Sequence, residues 1–166
     1  MRRSTLLGLA LVLGAASPVH AEATSDCNQS RDNDRAIRGC TQLIQANPRD
    51  LSAYFNRGLS YRAKGDNSKA VADFSEVVKL DPKFARGYSN RAAAYLGVGS
   101  NALAMADANR AINLDPRLAD AYDVRARINE ANGKKDGAIA DYRRALSINP
   151  QLESSLQGLK RLGAKP

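Results

Sequence analysis

The chain has no tryptophan, three phenylalanines, two cysteines and a single histidine, His20. Each shortage removes a class of function. A zinc site needs more ligands than two thiols supply once the histidine is lost. His20 also lies in a stretch expected to be removed, which leaves no imidazole for general base work. Nothing else suggests catalysis: paired carboxylates such as Asp120 and Asp123 imply no cleft by themselves, so the chain reads as non-enzymatic with no cofactor. The longest hydrophobic run, Leu6 to Ala16, is too short to cross a bilayer, which takes about 20 apolar residues.

That short run has another reading. Met1-Arg2-Arg3 is a basic start, Leu6 to Ala16 an apolar middle, and Val19-His20-Ala21 ends in a small-x-small pattern. Residues 1–21 therefore have the layout of a secretory signal peptide. Cleavage is expected near Ala21, with export to a periplasmic or extracellular compartment and no stable membrane anchor. The two cysteines, Cys27 and Cys40, would enter that oxidising compartment, where a disulfide between them is expected. Closing so short a loop stabilises by about 3 kcal/mol on the chain-entropy model.

What the chain does contain is a period. Pro48, Pro82, Pro116 and Pro150 stand 34 residues apart, and other residues keep step. Tyr54, Tyr88 and Tyr122 recur, as do Arg57, Arg91 and Arg125. Gly65, Gly99 and Gly133 follow, then Ala70, Ala104 and Ala138, then Asp73, Asp107 and Asp141. Five residue types in phase over three copies specify a repeat array.

Each copy divides into two helices. From Leu51 to Lys64, apolar residues at 51, 54, 55, 59 and 61 make one helical face. Gly65 ends that helix. Asn67 or Ser68 is the expected cap of the next, which buries Ala70, Val71, Phe74, Val77 and Val78 and stops before Pro82. No such helix can bury its face alone, so neighbours must stack. Residues 22–26 are polar and expected to be frayed, and 22–50 reads as a partial unit with an abbreviated first helix. Units at 51–84, 85–118 and 119–150 follow. Leu152, Leu156, Leu159 and Leu162 then form the stripe of a capping helix, with the tail, in 151–166. The repeating Arg–Asp pairs predict charge pairs between helices, within or across units.

A 34-residue helix–turn–helix unit with tyrosine, small residue, glycine, alanine and proline at these offsets resembles the tetratricopeptide repeat. The resemblance implies an all-α, right-handed α-solenoid of three full units, one partial N-terminal unit and a C-terminal capping helix. Cys27 and Cys40 fall where the family places two touching aromatics, which again implies their pairing. Departures at Val77, Ala108 and Asn129 suggest looser packing there.

The family's members act mainly as peptide- or protein-binding scaffolds. The resemblance implies a concave surface lined by the first helix of each unit. On it the partner-binding candidates are Phe55, Asn56, Leu59, Arg62, Arg86, Ser89, Asn90, Ala93, Asp123 and Arg127. One subset of the family grips a C-terminal carboxylate with lysines, asparagines and an arginine. Phe55, Leu59, Asp120 and Val124 stand at four of those places and only Asn90 matches, so that specificity does not carry over. The groove mixes Arg62, Arg86 and Arg127 with Asp120, Asp123 and Glu130, which argues against nucleic acid, whose groove should be uniformly basic. The expected ligand is an extended peptide with an apolar residue on Phe55 and Leu59 and an acidic one near Arg62 or Arg86. Self-association, or binding of an anionic envelope component through the surplus basic charge, is the alternative.

Overall fold

Proline and glycine punctuate the chain where the period places them. The residues before the four prolines, Asn47, Asp81, Asp115 and Asn149, all sit in extended backbone, with φ between −129° and −139°. Steric conflict with the following ring excludes the helical region there. Each of these four side chains also accepts a hydrogen bond from the amide two residues on, at 2.9–3.2 Å. Gly65, Gly99 and Gly133 close the first helix of each unit with φ of +79°, +79° and +71°, a conformation only glycine takes without strain.

The computed structural model describes residues 18–29 and 31–166. Among them are nine helices and no strand: α1 Pro18–Gln29, α2 Asn33–Ala46, α3 Leu51–Ala63, α4 Asn67–Leu80, α5 Ala85–Gly97, α6 Asn101–Leu114, α7 Ala119–Ala131, α8 Lys135–Ile148 and α9 Glu153–Arg161. Each helix packs on the next, and the odd-numbered helices also touch one another from α1 through α9. No two even-numbered helices touch. The stack is therefore an all-α solenoid that curves toward the odd layer, whose helices line its concave side.

Most of the signal layout, residues 1–17, lies outside the described residues. Residues 22–26, expected to fray, are instead helical within α1. Ala23 and Cys27, one turn apart, pack with Cys40, Leu43 and Ala53, so the first helix has its own buried face. A disulfide joins Cys27 to Cys40 and fastens α1 to α2. Helix α4 begins at Asn67, but its cap is Asp66, whose carboxylate accepts from the Lys69 amide. Asp50 does the same for α3 through the Ala53 amide. Helices α5, α7 and α9 have Phe84, Leu118 and Leu152 at the equivalent place, and none of these caps by its side chain. They pack against the core clusters instead.

Two close approaches set the packing between helices. A Cβ on Gly58 would lie 2.8 Å from Phe74 Cε1, so the α3 backbone rests on that ring. A Cβ on Gly158 would lie 2.3 Å from Tyr142 Cζ, which seats α9 on α8 in the same way. The expected looseness at Val77, Ala108 and Asn129 is absent. Val77 is fully buried against Gly87 in α5, Ala108 is fully buried, and Asn129 donates to Asp141 Oδ2 at 3.0 Å. Small or polar side chains fit because the facing residues complement them in volume and hydrogen bonding.

The repeated charges form a ladder. Arg57, Arg91 and Arg125 each donate from Nε and Nη2 to both carboxylate oxygens of Asp73, Asp107 and Asp141, at 2.7–3.0 Å. The remaining branch of each guanidinium reaches back to the preceding unit: Arg57 to Thr41, Arg91 to Ser75, Arg125 to Asn109. Each arginine also lies over the tyrosine three residues before it, at 5.6–5.7 Å from the ring centroid. Hydrogen bonding to the aspartate raises all three guanidinium pKa values, against the opposing effect of burial. The ladder expected from the sequence is thus a scaffold element that joins the two helices of one unit to the helix before.

Candidate functional site

The concave face holds a cleft of about 290 Å³. Helix α5 supplies its floor with Ser89, Asn90 and Ala93, small or short side chains that leave room above them. Arg62 enters from the end of α3. Helix α7 provides the opposite wall with Asp120, Asp123, Val124 and Arg127, and Ser154 of α9 closes one end. Three repeats and the capping helix therefore build one site.

Its polar groups divide into two kinds. Asp123 is 5% exposed and accepts hydrogen bonds from Ser154 Oγ at 2.9 Å and Ser155 Oγ at 2.7 Å, which pins α9 to the groove wall. Outside the lining, Glu130 of the same helix accepts from Tyr142 Oη at 2.7 Å and pairs with Arg161 at 3.1 Å. The Arg161 guanidinium holds the Glu130 carboxyl below the usual carboxylate range, and burial raises the Tyr142 phenol. These groups act in the architecture. The second kind is open: among the described residues Arg62 and Arg127 make no hydrogen bond or ion pair, although both reach the cleft. Desolvation, and then the charge of Arg127, lower the Arg62 pKa from the usual arginine value, while Asp120 acts in the opposite sense. Arg62 is exposed to water yet surrounded by protein, as a side chain inside a concavity is. The lowering does not discharge the Arg62 guanidinium near neutral pH.

Of the sequence-based candidates, the structure brings Arg62, Ser89, Asn90, Ala93, Asp123 and Arg127 into this cleft. Phe55, Asn56, Leu59 and Arg86 do not line it. Phe55 stands edge-to-face with Phe74 and Phe84, with ring centroids 5.8 and 5.3 Å away, and Leu59 packs on the same cluster. Both were expected to offer an apolar anchor; they are half-buried against this cluster instead, and the ring of Phe84, just before α5, packs on Phe55. Asn56 donates to Asn28 Oδ1 at 2.8 Å and so links α3 to α1. Ser154 was not foreseen, although it stands one 34-residue step beyond Asp120 and carries the period into α9.

A larger hollow of about 470 Å³ lies at the other end, against α1 and α2. Its Asp26 and Arg35 already pair at 2.7 Å, and Val19, part of its lining, precedes the expected cleavage point. It is the weaker site on both counts. Among the described residues, no three His, Cys, Asp or Glu side chains are placed to hold a metal ion, and no helix is long and apolar enough to cross a membrane.

Family models described as TPR repeat and tetratricopeptide repeat match residues 58–99 and 119–152. Among solved structures, the chain is 30% identical to an Arabidopsis OM64 TPR domain, over 68% of this chain and 93% of that one, with a TM-score of 0.64. The first TPR of Spaghetti (RPAP3), bound to the HSP90 peptide SRMEEVD, is 26% identical over 68% and 90%, with a TM-score of 0.63. MamA is 24% identical over 87% and 80%, with a TM-score of 0.72, a likeness of fold. No curated protein sequence matches the chain. With a relative of that identity and coverage, and with a repeat spelled out by its prolines, glycines and Arg–Asp ladder, the chain belongs to the tetratricopeptide repeat family.

Proposed function

We propose that this protein is a non-catalytic, exported scaffold that binds an extended segment of a protein partner along its concave face. The observation that carries this reading is the cleft itself. It spans α3, α5, α7 and α9, and among the described residues two guanidinium groups in it have no hydrogen bond or ion pair, while the three ladder arginines are paired. The Spaghetti domain with its bound HSP90 peptide supports the reading by likeness. Export rests on the signal layout of residues 1–21 and is consistent with the Cys27–Cys40 disulfide, since such bonds persist in oxidising compartments.

A site-specific photo-crosslinker tests the groove assignment. Placed at Asn90 in the cleft it should trap a partner in envelope extract; placed at Ala106, exposed on α6 of the opposite layer, it should not. Equal trapping from both positions would remove the concave face as the binding surface. Export is tested separately, by locating the full chain in cell fractions and sequencing the N-terminus of the mature form; a chain retained inside with Met1 intact would refute it.

A further inference from the structure

We propose that the cleft contains a carboxylate seat, formed by Arg62 and Arg127 above Asn90, that selects an internal aspartate or glutamate side chain of the bound segment. This deepens the scaffold reading and rests on it. The two guanidinium groups come from helices two units apart, α3 and α7, and line one cleft across α5, where Ser89 and Ala93 are small. Neither makes a hydrogen bond or ion pair among the described residues. Every ladder arginine, by contrast, has a carboxylate at 2.7 Å. Two like charges sharing one concavity repel each other, and a single anion between them relieves that repulsion while meeting two planar donor sets. Burial first, and then the charge of Arg127, lower the proton affinity of Arg62, with Asp120 opposing both. Asn90 Nδ2 is turned back to the Arg86 carbonyl at 2.9 Å, so the guanidinium groups and not this amide would hold the carboxylate.

Charge complementarity also narrows the ligand. Asp120 and Asp123 line the same cleft, which penalises a uniformly anionic chain such as nucleic acid. One isolated acid fits, with a neutral or basic residue beside it. The lining runs from Arg62 of α3 to Ser154 of α9, across four helices of the concave face. A segment can therefore continue past the seat, which favours a side-chain carboxylate over a chain terminus.

The test is selection of random peptides, displayed with both ends blocked, on the full exported chain and on its R62Q/R127Q variant. Neither arginine is paired, so the variant should keep the wild-type thermal unfolding curve. On the wild type, groove-crosslinked peptides should share one fixed Asp or Glu. Replacing it with Gln should weaken binding about tenfold or more, and the same replacement should change nothing on the variant. Groove binders without acid preference, or equal Glu→Gln losses on both proteins, overturn the seat and leave the scaffold standing. An acid preference found only with free C-termini overturns the side-chain assignment. Absence of any groove-crosslinked binder overturns both.

Discussion

Replacing Asp107 by alanine tests the central rung of the charge ladder. Asp107 accepts from Arg91 Nε at 2.7 Å and from Nη2 at 3.0 Å, and the two side chains are 11% and 18% exposed. Removing the carboxylate leaves a mostly buried guanidinium with only Ser75 Oγ, at 3.3 Å, as a polar partner. An exposed pair contributes about 0–1 kcal/mol, whereas breaking a buried one costs roughly 3–5 kcal/mol. The low exposure places D107A near the lower end of the buried range, at about 3 kcal/mol. For a chain of this size that lowers Tm by roughly 6–12 °C. Urea denaturation followed by far-UV circular dichroism measures the loss directly. The companion variant R91M/D107L removes both charges and should recover at least half of it, since the penalty lies in the orphaned cation more than in the absent pair. A loss below about 1 kcal/mol for D107A, or no recovery in the double variant, would refute the reasoning and reclassify the ladder as a solvated ion pair.

The Glu130–Arg161 pair predicts a pH effect on the docking of α9. The folded-state pKa of Glu130 is depressed, so its contribution is present above the ordinary glutamate value of about 4.3 and is lost as pH falls through the lower folded value. The stability gap between wild type and E130Q should therefore close on acidification; a gap constant down to pH ~3 contradicts this. G58A places a Cβ 2.8 Å from the Phe74 ring and should destabilise by about 1–2 kcal/mol, despite the better helix propensity of alanine. A calorimetric scan showing stabilisation would mean that the ring shifts freely. Replacing both cysteines by serine should cost about 3 kcal/mol, read as faster hydrogen exchange confined to α1 and α2.

Much of the architecture could be read before the structure because it repeats. The 34-residue step carries its own evidence: a rule visible once is a coincidence, and visible three times it fixes helix ends, turn residues and the Arg–Asp pairs together. Errors fell where the copies differ. Helix α1 precedes the periodic part, and only the Ala23–Cys27 face shows how it packs. Phe55 looked like an exposed anchor because nothing in its own helix covers it; the Phe84 ring that does so stands at the start of α5, 29 residues on. Arg62, Asn90 and Arg127 were legible as groove residues from their offsets. That Arg62 and Arg127 are left unpaired was not legible, because pairing depends on which carboxylates the curvature brings near. Asp123 is the counterexample, an apparent binding residue satisfied by Ser154 and Ser155 of the capping helix.

Contact among the odd helices, and its absence among the even ones, also has a mechanical side. Bending the stack further inward would compress odd helices that already meet, at Asn56 with Asn28 and at Asp123 with Ser154 and Ser155. Bending it outward only separates surfaces in light contact, and the gaps between the even helices leave room for the opposite edge to follow. The solenoid is thus a spring with unequal stiffness, hard against closing and soft toward opening. A bulkier segment is admitted by splaying the arc, while a slimmer one finds no tighter grip.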